Sequence, residues 1–234
     1  MRSGDKFVKI YNELAIALQE ATATPDNVPF FELLEIASKS KPTIRRKIPF
    51  LKSMGRLRNA IVHDRHYPEA VIADPRQEVL EEFEAILERI KSPTLIIPFF
   101  QKQILFFLPE DPLGKALSHM QQNDFSQVVV LVDGNYRILS SEGIVRWVSN
   151  AKQVGLADVE GATIRDIYAY EEQTGCCYMG RNETTDAAIL AFENAISKGI
   201  PRLPAILITH NGKPTEKPIG IITPWDLIGI SGNQ

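Results

Sequence analysis

Two kinds of hydrophobic spacing divide this chain. From about residue 5 to residue 92, apolar side chains recur at helical intervals: Phe7, Tyr11, Leu14 and Leu18 form one row, Phe30 to Ala37 is a shorter apolar-rich run, and Val79, Phe83, Ile86, Leu87 and Ile90 form a stripe. Such spacing puts each row on one face of a helix, so the segment reads as all-helical. The last of these helices carries a start signal, with Asp74 as its cap, Pro75 at the first helical position and Gln77 completing a capping box. Lys91-Ser92-Pro93 ends it. Beyond Pro93 the spacing changes to short strand-length runs, which places a domain boundary at residues 93–98.

The second half repeats itself. Asp111-Pro112 and Thr184-Thr185 each open a helix, Val128 to Val132 and Pro204 to Ile208 each form a buried strand, and Arg137 to Ser140 and Gly220 to Thr223 each form the next strand. The copies differ most in the strand connection, which is short at Asp133-Gly134-Asn135 and long from His210 to Pro218, as insertions in exposed loops usually are. Each copy reads strand, helix, strand, strand, helix. A unit that small cannot bury both faces of its sheet, so two copies are expected to pack together.

The string Gly220-Ile221-Ile222-Thr223-Pro224-Trp225-Asp226-Leu227 ends the second copy where a strand enters a helix. There the unsatisfied N–H groups of a helix start lie beside a hydroxyl and a carboxylate, and Asp226 can accept hydrogen bonds from a ribose diol, with Thr223 adding another. The same residues also suit plain capping: Thr223 is a good N-cap, Pro224 a good first residue, and Asp226 a third-position acid favoured by the helix dipole. Both readings stay open.

Residues 98 to 230 resemble a tandem pair of CBS domains, the Bateman-type regulatory module, and the Gly220 to Leu227 string resembles its most specific motif. The resemblance implies an α+β chain: an N-terminal all-helical domain (1–93), then two β-α-β-β-α repeats (98–158 and 159–234) packed as a pair. It implies an adenine nucleotide (AMP, ADP or ATP) in the cleft between the copies, with Thr223 and Asp226 on the ribose. Arg202, in Pro201-Arg202-Leu203-Pro204, would reach phosphate, Ile221 would touch the adenine face and Trp225 would flank the ribose. In the first copy Gly143 stands where Asp226 stands in the second, and Arg137 replaces Gly220. A glycine offers a ribose no side-chain acceptor, so one competent site per chain is expected, the other cleft being empty or structural.

Charge adds one feature. The net charge is −3, yet Lys39 to His66 holds nine Lys and Arg against Asp64 alone. Such a stretch either attracts phosphate, RNA included, or pairs with the acidic segment of Glu78, Glu81, Glu82, Glu84 and Glu88. Inside it, Arg58-Asn59-Ala60-Ile61-Val62-His63 resembles the R-N-x-x-x-H signature of HEPN domains, many of which are metal-independent ribonucleases acting as dimers. That resemblance gives His63 proton transfer at a 2′-hydroxyl, Arg58 charge stabilisation and Asn59 positioning. On a straight helix Arg58 and His63 point roughly 140° apart, so a joint site needs a long Arg reach, a helix end or a second chain.

Adjacent Cys176 and Cys177 give neither a loop-closing disulfide nor a four-ligand metal set, and no metal is predicted. Leu95 to Leu108 is interrupted by Gln101, Lys102 and Gln103, and the N-terminus lacks the apolar core of a signal peptide, so a cytoplasmic protein without membrane contact is expected. In layout the chain is similar to a bacterial CBS-domain-containing protein. The expected function is regulatory: a nucleotide-binding pair that signals to a HEPN-like helical domain, in a homodimer. The alternatives are a nucleotide-regulated metal-independent endoribonuclease and a dimerising scaffold without ligand.

Overall fold

The computed structural model describes residues 3–63, 73–154, 159–171, 176–200 and 203–227. The chain is α+β, as the resemblance implies, and forms two compact units. One comprises residues 1–94 with 184–190, the other residues 95–183 with 191–234.

The first unit holds α1 (Ser3–Thr22), α2 (Phe30–Ser40), α3 (Pro42–His63) and α4 (Gln77–Lys91). Its core takes Phe7, Leu14 and Leu18 from α1, Leu33 and Leu34 from α2, Ile44 and Leu51 from α3, and Leu80 and Phe83 from α4, all buried; Ile44, Leu51 and Leu80 stand outside the apolar rows read from the sequence. The rings of Phe7 and Phe83 lie 5.3 Å apart. Gly55 lets α2 approach α3, because a Cβ there would sit 2.9 Å from Cζ of Phe31. The start of α4 differs from expectation. Asp74 does not cap it; Arg76 holds the N-cap position without a side-chain bond, and the first helical residue is Gln77. The Gln77 amide donates forward to Glu81 at 2.9 Å, so its side chain is not turned back to form a capping box.

Helix α3 begins differently again. It has no acid in its first turn, and the carboxylate at its N-terminus is Asp186, which accepts from Thr43 N–H at 3.3 Å and Thr43 Oγ1 at 2.8 Å. Asp186 belongs to the first turn of α8 (Thr185–Ser197), a turn counted with the helical unit. Thr184 Oγ1 in turn accepts from Ala187 N–H at 3.2 Å, the N-cap expected there.

The second unit contains two three-stranded sheets of the same order. In the first, β1 (Phe106–Phe107) runs parallel to β2 (Gln127–Val132), which pairs antiparallel with β3 (Asn135–Ser140). In the second, β4 (Cys176–Gly180), β5 (Ala205–Thr209) and β6 (Gly220–Ile222) repeat that arrangement. Helices α5 (Leu113–Asn123), α6 (Ser141–Val154) and α7 (Ile164–Tyr168) accompany the first sheet; α8 precedes β5, and residues 224–227 are helical after β6. The order strand, helix, strand, strand, helix is thus present twice.

The apolar runs in β2 and β5 are continuous because both faces are covered. Val128 and Val130 pack with Leu113, Ala116, Leu139, Ile144, Trp147 and Ile164 under the helices, while Val129 and Ile138 pack against Ala205, Leu207, Cys176, Tyr178 and Ile221 of the other sheet. The hairpin between β2 and β3 closes on Asp133 (φ 50°) and Gly134 (φ 72°), both left-handed as a two-residue hairpin requires.

Candidate functional site

A cavity of about 480 Å³ lies in the second unit, and both repeats line it. The first repeat contributes Ser126 and Gln127 at the start of β2 and Ser140, Ser141 and Glu142 where β3 becomes α6. From the second repeat come Phe192 and Ile196 of α8, Leu203 and Pro204 before β5, and Thr223, Pro224 and Trp225 after β6. One wall is therefore hydroxylic and amidic with one carboxylate, and the other is mainly apolar, a division suited to a flat heterocycle carrying polar groups. Trp225 is 80% exposed, so its indole is available to an occupant.

The motif residues split between this cavity and the scaffold. Thr223 and Trp225 line it. Asp226, half-buried, turns its Oδ2 onto Thr223, accepting from the N–H and from Oγ1 at 2.7 Å each. The same arrangement occurs at α7, where Asp166 Oδ2 accepts from Thr163 N–H at 2.9 Å and Oγ1 at 2.7 Å. The Thr163 N–H, followed by its hydroxyl, holds the Asp166 carboxyl below the usual range. Neither Thr163 nor Asp166 lines the cavity, so capping alone is sufficient to orient Asp226 as observed. Ile221 pairs with Leu207 and packs with the inter-sheet cluster rather than lining the cavity. Gly220 has a local reason: a Cβ there would overlap the carbonyl oxygen of Phe100, whose chain runs beside β6 through the Lys102 N–H to Ile219 carbonyl bond of 3.2 Å. Arg202 lies outside the described residues.

In the first repeat Gly143 leaves the third position of the turn without a side-chain acceptor, and a remote residue supplies one. The turn is not left without an acid: Glu171 accepts from Ser140 N–H at 2.7 Å and from Ser140 Oγ at 2.9 and 3.0 Å. Glu171 follows α7 and shares no local pattern with Ser140, so spacing could not reveal it. Phe192 and Ile196 carry a local signal, since four-residue spacing puts them on one face of α8.

In the helical unit, Arg58 and Asn59 are adjacent and in contact, with Arg58 Nη1 donating to Asn59 Oδ1 at 3.4 Å. The Arg58 guanidinium also lies over the Tyr11 ring, 5.7 Å from its centroid, a cation–π contact that ties α3 to α1. Burial raises the Tyr11 hydroxyl above its ordinary pKa, with the Arg58 charge opposing it. His63 is the last residue of α3, and its side chain lies outside the described residues. Part of the basic segment pairs internally: Lys47 reaches Glu82 of α4 at 3.0 Å and Lys52 reaches Glu35 of α2 at 2.6 Å. No helix among the described residues is long and apolar enough to cross a membrane.

No protein-family model matches the sequence, and no curated protein matches it. Solved structures similar to its C-terminal part are CBS-domain proteins. One is a CBS-domain containing protein from Agrobacterium tumefaciens, 17% identical over 56% of this chain and 90% of that one, with a TM-score of 0.41. Another is a CBS domain pair in complex with 5-methylthioadenosine and S-adenosyl-L-methionine, 13% identical over 60% and 97%, with a TM-score of 0.44. A third is CBSX2 in complex with AMP, 14% identical over 60% and 97%, with a TM-score of 0.41.

Proposed function

We propose that this chain is a regulatory protein whose second unit binds an adenine nucleotide in the cavity between its two repeats and signals to the helical unit. The observation that carries the binding half is the convergence of two strand-to-helix turns, Ser140–Glu142 and Thr223–Trp225, on one cavity with an apolar wall. The base fits against Phe192, Ile196 and Trp225. The ribose diol meets Thr223 and the Asp226 carboxylate, which uses Oδ2 for capping. Support for the signalling half is α8, whose first turn belongs to the helical unit and whose Phe192 and Ile196 line the cavity. Homodimerisation and RNA binding through residues 39–66 belong to the same reading as its output.

Paired variants test the binding half. Asp226→Ala and Asp166→Ala each remove a cap of the same geometry, so each should lower stability by about 0.5–2 kcal/mol. Only one of the two caps lies beside the cavity. A saturating ligand at a hundredfold excess over its Kd stabilises the native state by about 2.7 kcal/mol. AMP should therefore raise the Tm of wild type and of Asp166→Ala, and should fail to raise that of Asp226→Ala. An equal AMP shift in both variants means that Asp226 is a cap and nothing more.

A further inference from the structure

We infer that Glu171 is the positioning residue of the first-repeat wall of the cavity, supplying from a distant segment the carboxylate that the second repeat builds into its own helix start. Both turns face the same cavity and leave a strand with an N–H and a hydroxyl aimed at the next helix. In the second repeat Asp226, three residues on, accepts both. In the first repeat the third position is Gly143, and Glu171 accepts both instead.

The glycine is what admits the acid. A Cβ on Gly143 would overlap Oε2 of Glu171 and stand 3.0 Å from its carboxyl carbon. Ser140 is buried, and its Oγ also accepts from Gly143 N–H at 3.1 Å. That one hydroxyl therefore donates to Glu171 and accepts from the helix, closing the helix start from both sides. Helix α6 holds the segment that carries Glu171 in return: Arg146 Nη1 donates to the Tyr170 carbonyl at 3.0 Å and Asn150 Nδ2 to the Tyr170 hydroxyl at 2.7 Å. Gly143 and Glu171 are a matched pair, space on one side and charge on the other. Both Glu171 oxygens are engaged by Ser140, so the first turn shapes the wall while the second turn is the one that meets a ribose.

The last step rests on the proposed nucleotide site, and the experiment separates the two. Glu171→Ala, Gly143→Asp and the double variant are made in the full chain, and Tm and the AMP Kd from calorimetry are measured for each. Glu171→Ala strands a buried N–H and Gly143→Asp overlaps Glu171, so each single variant should melt below wild type. The double variant restores a local carboxylate and should melt above both. The AMP Kd should weaken about tenfold in Glu171→Ala, the weight of roughly one polar contact, and recover in the double variant. Additive losses of Tm overturn the pairing, and an unchanged Kd in Glu171→Ala overturns the positioning role. If Glu171→Ala does not fold, Glu171→Gln keeps the shape without the charge and should melt below wild type; a wild-type Tm for it overturns the proposal. A wild type silent to AMP defeats the nucleotide reading only, and the melting comparison still decides the pair.

Discussion

At the scale of single residues, two glycines that look alike in the sequence are required for different reasons. Gly134 needs φ +72° with nothing within 4 Å of a Cβ, whereas Gly220 has no left-handed backbone and a carbonyl oxygen where its Cβ would be. Gly134→Ala should cost about 1–2 kcal/mol, the ordinary penalty of a left-handed residue. Gly220→Ala must displace the backbone at Phe100 and should cost more, as chemical denaturation of the two variants would show; equal costs would mean that the Phe100 segment yields freely. Glu216 gives a pH prediction. Its carboxylate accepts from the Asn211 amide side chain and the Asn211 N–H at 2.7 Å each, and these bonds hold its pKa down to about 2. A depressed carboxylate stabilises the fold above its ordinary value and loses that contribution as pH falls through the folded one. Between about pH 4.5 and pH 2 the Tm of Glu216→Gln should therefore fall less than that of wild type.

At the scale of elements, the acids that close helix starts among the described residues come from two kinds of place. Helix α7 and the helical turn after β6 use an acid three residues beyond a threonine. Helices α3 and α6 use acids far away in sequence, Asp186 at a separation of 143 residues and Glu171 at 31. A carboxylate at a helix N-terminus is favourable wherever it comes from, since what it meets is the exposed N–H groups and the positive end of the dipole. A remote cap also couples elements, because losing it loosens two at once. Asp186→Ala should destabilise the protein by about 0.5–2 kcal/mol, and hydrogen exchange should quicken in the first turn of α3 as well as of α8. Faster exchange in α8 alone would show that α3 does not depend on this acid.

At the scale of the whole molecule, the proposed signalling requires that nucleotide favour one of two arrangements of the chain, with a coupling typically of about 1–3 kcal/mol. Because α8 contributes to both the helical unit and the cavity wall, saturating AMP should change exchange protection in α8 and in residues 42–63. The same titration, followed by sedimentation, should change the association of the chain with itself. If AMP binds and neither readout moves, the cavity is a ligand site without an output, and the regulatory reading fails while the binding reading stands.

Local sequence determined the helical first half, the strand–helix–strand–strand–helix order of both repeats and the pairing of Thr223 with an acid three residues on, because each depends on neighbours a few positions apart. It also placed a capping box at Asp74 that the chain does not form, since Gln77 bonds to Glu81 instead. Only the tertiary structure decided that Ser140 and Thr223 share a cavity, that Ile221 faces the other sheet and that Glu171 fills the place left by Gly143. The reason is physical: a cap or a cavity wall requires a group at a point in space, and when the chain supplies that group from another element, no local pattern records the debt. Gly143 was visible in the sequence as a missing acid, while the acid itself became visible only once α7 had folded back beside α6.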